Sequence, residues 1–211
     1  MPERNRVTPT GEVVAIALRG AWLGNRGVLH EGHDIVRQYA STAWITCALE
    51  FRGWVAPQWE PRRWTALFFA DEAVALAAGH RPCALCRRGA YAAYQQAVAA
   101  ASGEGPLLAP ELDARLHEER LVTTARNRRR LVRRTHRLAW PSLPLGAFVV
   151  RSDGPALVTA SGLMGWSPVG YGTRTPRPEG GDAEVITPPT SLAALAHGYL
   201  PQVDPAARAG R

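Results

Sequence analysis

The chain has 211 residues, of which 46% are apolar and 20% charged, and its formal net charge is +7 at pH 7. This composition is typical of a globular protein with a buried core, and it excludes a wholly disordered chain. No run of 18 uncharged apolar residues occurs, and the apolar run near the N-terminus is short and lacks a signal-peptide cleavage motif. We therefore expect no membrane partner and a cytoplasmic location.

The basic residues are unusual in type and in distribution. All 25 are arginines, and the absence of lysine excludes catalysis through a lysine Schiff base or a phosphate-loop lysine. Residues 120–152 hold nine arginines and no acidic residue, so this segment alone carries +9. The rest of the chain is slightly negative, and the basic character is therefore local.

The first half of the chain predicts a small β-sheet followed by two helices. Strands are expected over four stretches, of which the first three are separated by glycine-containing turns: 12–18, 28–30, 35–39 and 43–51. A helix is expected over 71–78, which begins with two acidic residues and is followed by a glycine. A second, alanine-rich helix is expected over 84–101. Between sheet and helices, residues 52–64 predict an ordered loop rich in Trp, Pro and Arg.

The second half predicts a β-rich structure with short helices. A Gly-, Ser- and Pro-containing linker over 102–106 precedes a third helix, which Pro110 begins and which runs to about Arg120. Short strands punctuated by Gly and Pro follow at 121–124, 130–132, 147–151, 156–159 and 184–187, and a short helix at 191–197. Residues 166–172 contain two aromatic residues in a glycine-rich context and predict a loop.

The three cysteines of the chain are the candidate metal ligands. Cys83 and Cys86 form a Cys-x-x-Cys motif at the predicted start of a helix. Two thiolates with this spacing can bind one ion at about 2.3 Å, and the helix N-terminus favours their negative charge. Cys47 lies upstream on a predicted strand and supplies a third thiolate, so we expect bound Zn²⁺. A thioredoxin-like redox pair and inert buried thiols are the alternatives.

Three cysteines leave a tetrahedral zinc site one ligand short. His30 is the first candidate for the fourth position, because it ends a short strand that could pair with the strand of Cys47. His33 and His80 are the other candidates. A water molecule in the fourth position would make the zinc available for catalysis.

The stretch from Asp71 to Cys86, DEAVALAAGHRPCALC, resembles the zinc module of Ada-type DNA repair proteins. In that module a helix is followed by Gly-aromatic-Arg-Pro-Cys-x-x-Cys, and an upstream strand ends in a ligand cysteine. Trp44-Ile45-Thr46-Cys47 stands where that strand is expected, so the resemblance covers residues 43–88.

The resemblance implies a treble-clef or Ada-like zinc module that functions in DNA repair. It also implies that Cys47 accepts a methyl group from a damaged DNA phosphate. Two positions depart from the family. Phe51 stands in place of the second of four zinc cysteines, and His80 stands in place of an aromatic residue.

Residues 126–137 contain seven arginines in twelve positions. Guanidinium groups bind phosphate oxygens in a bidentate manner, so this composition predicts a nucleic-acid contact, with DNA favoured over RNA. A solvated basic face, an acidic protein partner and a small phosphate ligand are the alternatives. The candidate nucleic-acid-binding residues are Arg126, Arg128, Arg129, Arg130, Arg133, Arg134 and Arg137.

Together these features predict an α+β protein with two domains. Residues 1–102 form an Ada-like zinc-binding domain with a small β-sheet and helices, and residues 103–211 form a domain with an Arg-rich helix and a β-rich part. The predicted function is zinc and nucleic-acid binding, in DNA repair or the processing of DNA damage.

Two other functions are compatible with the sequence. A metal-dependent nuclease of the HNH type would use His30, His33 and Asp34, although the Asn or His expected on a following helix is absent. A non-enzymatic interaction module would use zinc only as a structural ion. No serine-hydrolase, Walker or dinucleotide-binding motif occurs.

Overall fold

The computed structural model describes residues 1–122 and 132–209, and it confirms the α+β class. The helices are α1 (Glu72–Ala77), α2 (Arg88–Ser102), α3 (Ala109–Arg120), α4 (Pro189–Ala196) and α5 (Pro205–Ala209), with a 3₁₀ turn at Trp140–Ser142. The strands are β1 (Arg4–Val7), β2 (Val13–Ala15), β3 (Trp22–Asn25), β4 (His30–Glu31), β5 (Asp34–Ile35), β6 (Ile45–Cys47), β7 (Glu50–Phe51), β8 (Trp54–Val55), β9 (Leu67–Phe69), β10 (Arg81–Pro82), β11 (His136–Ala139), β12 (Phe148–Arg151), β13 (Gly154–Thr159), β14 (Gly162–Ser167), β15 (Gly170–Thr175) and β16 (Asp182–Val185).

The first sheet is mixed and has the strand order β10-β6-β3-β9-β1-β2. At its edge β6 and β10 run parallel, with Thr46 opposite Pro82. Because both strands run in the same direction, their C-terminal ends lie side by side. Cys47, the last residue of β6, and Cys83, the first residue after β10, therefore leave the sheet side by side.

The second sheet is antiparallel and has the order β11-β16-β12-β13-β14-β15. The loop predicted over residues 166–172 is wrong, because these residues belong to the β14–β15 hairpin, in which Trp166 faces Tyr171. The glycines of this stretch disguise the strand pattern, and the ladder with β13 provides the stabilisation that local sequence does not show.

Helix α1 lies in the main core, which explains its composition. All six of its residues are buried, and its alanines pack in one cluster with Phe69 of the first sheet and Phe148 and Met164 of the second. Small side chains let both sheets approach the helix closely. The Asp71 side chain begins the helix by accepting the Val74 N–H at 2.8 Å. The sequence prediction of a helix over 71–78 is confirmed.

Helix α2 packs against the second half of the chain. Its buried face carries Tyr94, Ala97 and Val98, which share a cluster with Leu192 and Leu195 of α4. The Tyr94 and Ser191 hydroxyls are hydrogen-bonded at 2.9 Å. Residues on both sides of the linker at 102–106 thus contribute to common buried clusters. In the described residues, no helix is long and apolar enough to cross a membrane.

Candidate metal centre

The three cysteines converge at the edge of the first sheet. The Sγ atoms of Cys47, Cys83 and Cys86 all lie within 4.8 Å of one another. The parallel pairing of β6 with β10 positions the first two, and the Cys83 N–H continues this ladder by donating to the Thr46 carbonyl at 2.9 Å. The turn over 84–87 then brings Cys86 back beside Cys83 before α2 begins. The cluster can hold a metal ion.

Backbone amides donate to two of the three sulfur atoms. The Leu85 N–H donates to Cys83 Sγ at 3.4 Å, the Cys86 N–H donates to the same atom, and the Ala48 N–H donates to Cys86 Sγ. Amide donors stabilise negative charge on sulfur, and thiolates are the form that binds metals. The backbone around the cluster is therefore arranged for thiolates.

The thiols influence one another strongly. Hydrogen bonding from the Cys47 thiol, helped by backbone N–H groups, lowers the pKa of Cys83 to about 5. The same hydrogen bond and burial raise the pKa of Cys47, and burial raises the pKa of Cys86. Ionisation is therefore favoured at Cys83 and disfavoured at its two neighbours, and a positive charge among the sulfurs would favour all three thiolates. A divalent cation provides that charge.

The cluster lies near the surface on one side. Cys83 is 8% exposed, and Cys47 and Cys86 are half-buried. Cys47 packs on the small apolar cluster formed by Leu23, Ala56 and Ala66. Two apolar side chains beside the cluster are exposed: Leu49, two residues after Cys47, is 41% exposed, and Leu85, two residues after Cys83, is 71% exposed.

The structure does not bring His30 to the three cysteines. Its ring is 5% exposed, and Nδ1 lies 2.7 Å from the Thr65 hydroxyl while Nε2 lies 3.2 Å from the Glu60 carbonyl. Both ring nitrogens are therefore engaged elsewhere. β4 pairs with β5 as a separate hairpin and not with the strand of Cys47, which removes the geometric reason for expecting His30 at the metal.

The other two candidate histidines are also placed elsewhere. His33 is exposed, stacks on Trp59 and lies 3.4 Å from a Glu3 carboxylate oxygen. His80 is fully buried, and its Nε2 accepts a hydrogen bond from Arg26 Nε at 3.1 Å. Burial, and then the neighbouring arginines, lower the pKa of His80 well below its usual range, so the ring is neutral. It serves as an internal acceptor.

Buried arginines organise the strand that leads to Cys47. The guanidiniums of Arg26 and Arg120 lie 4.0 and 4.1 Å from the ring centroid of the buried Trp44. Arg120 also donates to the Thr42 carbonyl at 2.6 Å and to the Gly79 carbonyl at 2.9 Å. It therefore connects the segments that lead into β6 and β10, the two strands next to Cys47 and Cys83.

Arg133 is part of this internal system rather than of a basic surface. It donates to the carbonyls of Ala77 and Ala78 at 2.6 and 3.2 Å, at the C-terminal end of α1. A guanidinium is favourable there because helix C-termini carry partial negative charge. Gly79 ends the helix with a φ of +87°, and a Cβ at this position would lie 2.6 Å from Arg120 Cδ, so glycine is required for this packing.

The remaining candidate arginines divide into two groups. Arg134 and Arg137 are exposed, and Arg137 lies 3.9 Å from Asp182. Four candidates lie outside the described residues: Arg126, Arg128, Arg129 and Arg130. The chain on either side of this segment is held together, since Leu121 pairs with Arg133 and the Val122 N–H donates to the Val132 carbonyl at 3.0 Å.

Two buried ion pairs next to the cysteines were not predicted from the sequence. Arg81 donates from Nε and Nη2 to the Asp113 carboxylate on α3, at 2.8 and 2.7 Å. Arg87, directly after Cys86, donates to Glu72 at 2.7 Å and lies over the ring of Trp22. These pairs attach the turn that carries Cys83 and Cys86 to α1 and α3.

The comparisons with known proteins give no relative for this chain. No family model, curated protein or solved structure matches it.

Proposed function

We propose that the chain is a zinc-binding protein that also binds nucleic acid, with DNA preferred over RNA. Its proposed role is in DNA repair or the processing of DNA damage. The observation that carries the proposal is the cluster of three thiols, within 4.8 Å of one another, at the edge of the first sheet. The treble-clef or Ada-like character of residues 43–88 is part of the proposal. It is supported by the parallel β6–β10 pair, the tight turn after it and the following helix α2.

Zinc is the metal that this donor set favours. Thiolates are soft ligands that select zinc, copper(I) or iron–sulfur clusters, and zinc typically takes Cys-x-x-Cys at a turn before a helix. The site is held by the backbone of two strands and a turn, and its positioning ion pairs are buried. Such an ion would stabilise the fold around Cys47 and Cys83.

The nucleic-acid part of the proposal rests on the Arg-rich segment over 126–137. Arg120, which precedes the segment, and Arg133, which lies within it, are hydrogen-bonded to carbonyls inside the protein. The exposed Arg134 and Arg137 continue the segment on the surface. The density of arginines in the sequence of this segment is what supports a contact with phosphates.

Binding to duplex DNA should weaken steeply with salt. If four to six arginines meet phosphates, log K should fall against log[salt] with a slope of about −4 to −5. Replacing Arg128, Arg129 and Arg130 by Ala should reduce the steepness by about 2 to 3. Fluorescence anisotropy over a salt series measures both slopes.

The matched control removes three exposed arginines elsewhere: Arg19, Arg88 and Arg115. This variant has the same net charge as the first and should retain most of the slope. Equal slopes for the two variants would show that general charge, and not the segment, binds DNA. Absence of binding at low salt would contradict the nucleic-acid proposal.

The arrangement of the histidines gives less support to a nuclease function than to zinc and nucleic-acid binding. It would need His30 and His33 as metal ligand and base, but His30 is hydrogen-bonded through both ring nitrogens. Within the described residues, the three cysteines are the group of His, Cys, Asp and Glu side chains placed to hold a metal.

Cys47 is proposed as a structural ligand and not as a methyl acceptor. It is half-buried against an apolar cluster, and Phe51 replaces the cysteine that raises the thiolate charge in Ada-type sites. Incubation with DNA that contains methylphosphotriesters should therefore leave the mass of the protein unchanged. A stoichiometric methyl adduct on Cys47, found by peptide mass spectrometry, would contradict this assignment and support direct repair chemistry.

A further inference from the structure

Residues 51–64 form a segment of the surface in which aromatic and basic side chains occur together. The segment contains three of the seven tryptophans of the chain, three arginines and a single acidic residue. That acidic residue, Glu60, pairs with Arg63 at 3.0 Å. The other two arginines, Arg52 and Arg62, are exposed, so the segment presents a positive charge beside its aromatic rings.

The aromatic rings of this segment lie next to one another and close to the thiol cluster. In the β7–β8 hairpin Phe51 pairs with Trp54, whose side chain is 45% exposed. The ring centroids of Trp54 and Trp64 lie 6.1 Å apart. Trp64 in turn packs on the same small apolar cluster as Cys47. Trp54 is therefore an exposed ring that a half-buried ring connects to the surroundings of the metal centre.

The backbone of the segment adopts an uncommon conformation at its arginines. The non-glycine residues with positive φ in the described part of the chain are Arg52, Trp59 and Arg62, at 54°, 59° and 64°. Arg52 and Gly53 form a two-residue hairpin turn with positive φ at both positions, for which Asn-Gly is the preferred sequence. Residues in such conformations cluster at ligand-binding sites. An arginine in this turn thus indicates a role for its guanidinium outside the fold.

Exposed rings and guanidiniums in one segment match the chemistry of single-stranded nucleic acid. An unpaired base stacks on an aromatic ring, while arginines bind the neighbouring phosphates. Inside a duplex the faces of each base are covered by the adjacent bases, so only an unpaired or extruded base offers a face to Trp54. A protein partner would also cover exposed apolar side chains such as Val55, but the two exposed arginines favour a polyanion.

We infer that residues 51–64 bind single-stranded nucleic acid, with a base stacked on Trp54 and phosphates at Arg52 and Arg62. The inference deepens the proposed function and rests on it, because it requires that the chain binds nucleic acid at all. It adds that unpaired bases are recognised at this surface, next to the metal centre. The Arg-rich segment over 126–137 supplies the contact that does not distinguish single strands from duplexes.

Substitution of the exposed Trp54 tests the stacking contact. Fluorescence anisotropy of a dye-labelled thymidine oligonucleotide measures the affinity for a single strand, and a labelled duplex is measured in parallel. Tryptophan fluorescence is recorded while unlabelled oligonucleotide is added, since a stacked base quenches the ring that it covers. Val169→Ala is the control, because Val169 is an apolar residue that is 91% exposed and remote in sequence.

Trp54→Ala should weaken single-strand binding by about tenfold and leave duplex binding unchanged. Trp54→Phe should retain most of the single-strand affinity, because a ring is still present, but should lose part of the quenching. Val169→Ala should change neither quantity.

Replacing Arg52 by Asn tests the phosphate contact without weakening the fold. Asn-Gly suits the turn better than Arg-Gly, so Arg52→Asn should raise the unfolding temperature. The same variant should reduce the steepness of log K against log[salt] for the single strand by about 0.7, as expected for one lost phosphate contact. Weaker binding by a more stable protein cannot result from misfolding.

Two results would contradict the inference in different ways. If Trp54→Ala binds the single strand as tightly as the wild type and is quenched equally, the stacking contact is wrong, and the exposed apolar side chains belong to a protein interface. Duplex binding would stand in that case. If the wild type binds neither the single strand nor the duplex at low salt, the proposed function itself is wrong.

Discussion

Replacing Cys83 by Ser should remove the metal and destabilise the first half of the protein more than any other single substitution. Cys83 is the central thiol, since it accepts hydrogen bonds from two backbone amides and from Cys47. Structural zinc contributes on the order of 10–16 kcal/mol to the folding of small zinc modules. Metal analysis of the purified variant and its thermal unfolding curve measure the two effects.

Removal of the metal from the wild-type chain provides the matched control. A strong chelator should lower the unfolding temperature of the wild type but leave Cys83→Ser unaffected, because the variant has no metal to lose. The prediction is contradicted if the variant unfolds at the wild-type temperature, or if chelation destabilises both proteins equally.

The second large effect is expected at the buried ion pair between Arg81 and Asp113. Both side chains are under 10% exposed, and Arg81 immediately precedes Pro82 and Cys83. Asp113→Ala leaves the Arg81 guanidinium buried without its carboxylate, which should cost about 3–5 kcal/mol. Chemical denaturation measures the free energy of unfolding of the variant.

Two further variants separate this desolvation effect from a loss of packing. Combining Asp113→Leu with Arg81→Met removes both charges and should recover most of the lost stability. Asp153→Ala serves as the surface control, since it breaks the ion pair between Arg151 and Asp153. The Asp153 side chain is 66% exposed, so this variant should change the free energy of unfolding little. A double variant as unstable as Asp113→Ala would show that the pair acts through its shape and not through its charge.

The thiol cluster was predictable because its information is largely local. The spacing of Cys83 and Cys86 lets their sulfurs meet within a single turn, which the chain forms over 84–87. Cys47 joins the cluster because β6 pairs in parallel with β10. The resemblance to Ada-type modules, more than the residue pattern, indicated that Cys47 would lie next to Cys83. Helices α1 and α3 were predictable from their end signals and their composition.

The histidine and the internal arginines were not predictable, because distant residues determine their positions. His30 is fixed by Thr65, which lies 35 positions away in sequence. Arg133 turns inward because the carbonyls at the end of α1 need donors, and nothing near Arg133 in the sequence shows this. A run of arginines therefore does not reveal which of its members serve the interior.

The central claim is that Cys47, Cys83 and Cys86 hold one zinc ion. Native mass spectrometry of the wild-type chain, purified without added metal or chelator, tests it most directly. The account predicts a mass corresponding to one zinc per chain, which is lost on acid denaturation and is absent in Cys83→Ser. A wild-type chain that carries no metal, and takes up none when incubated with equimolar Zn²⁺ under reducing conditions, would contradict it.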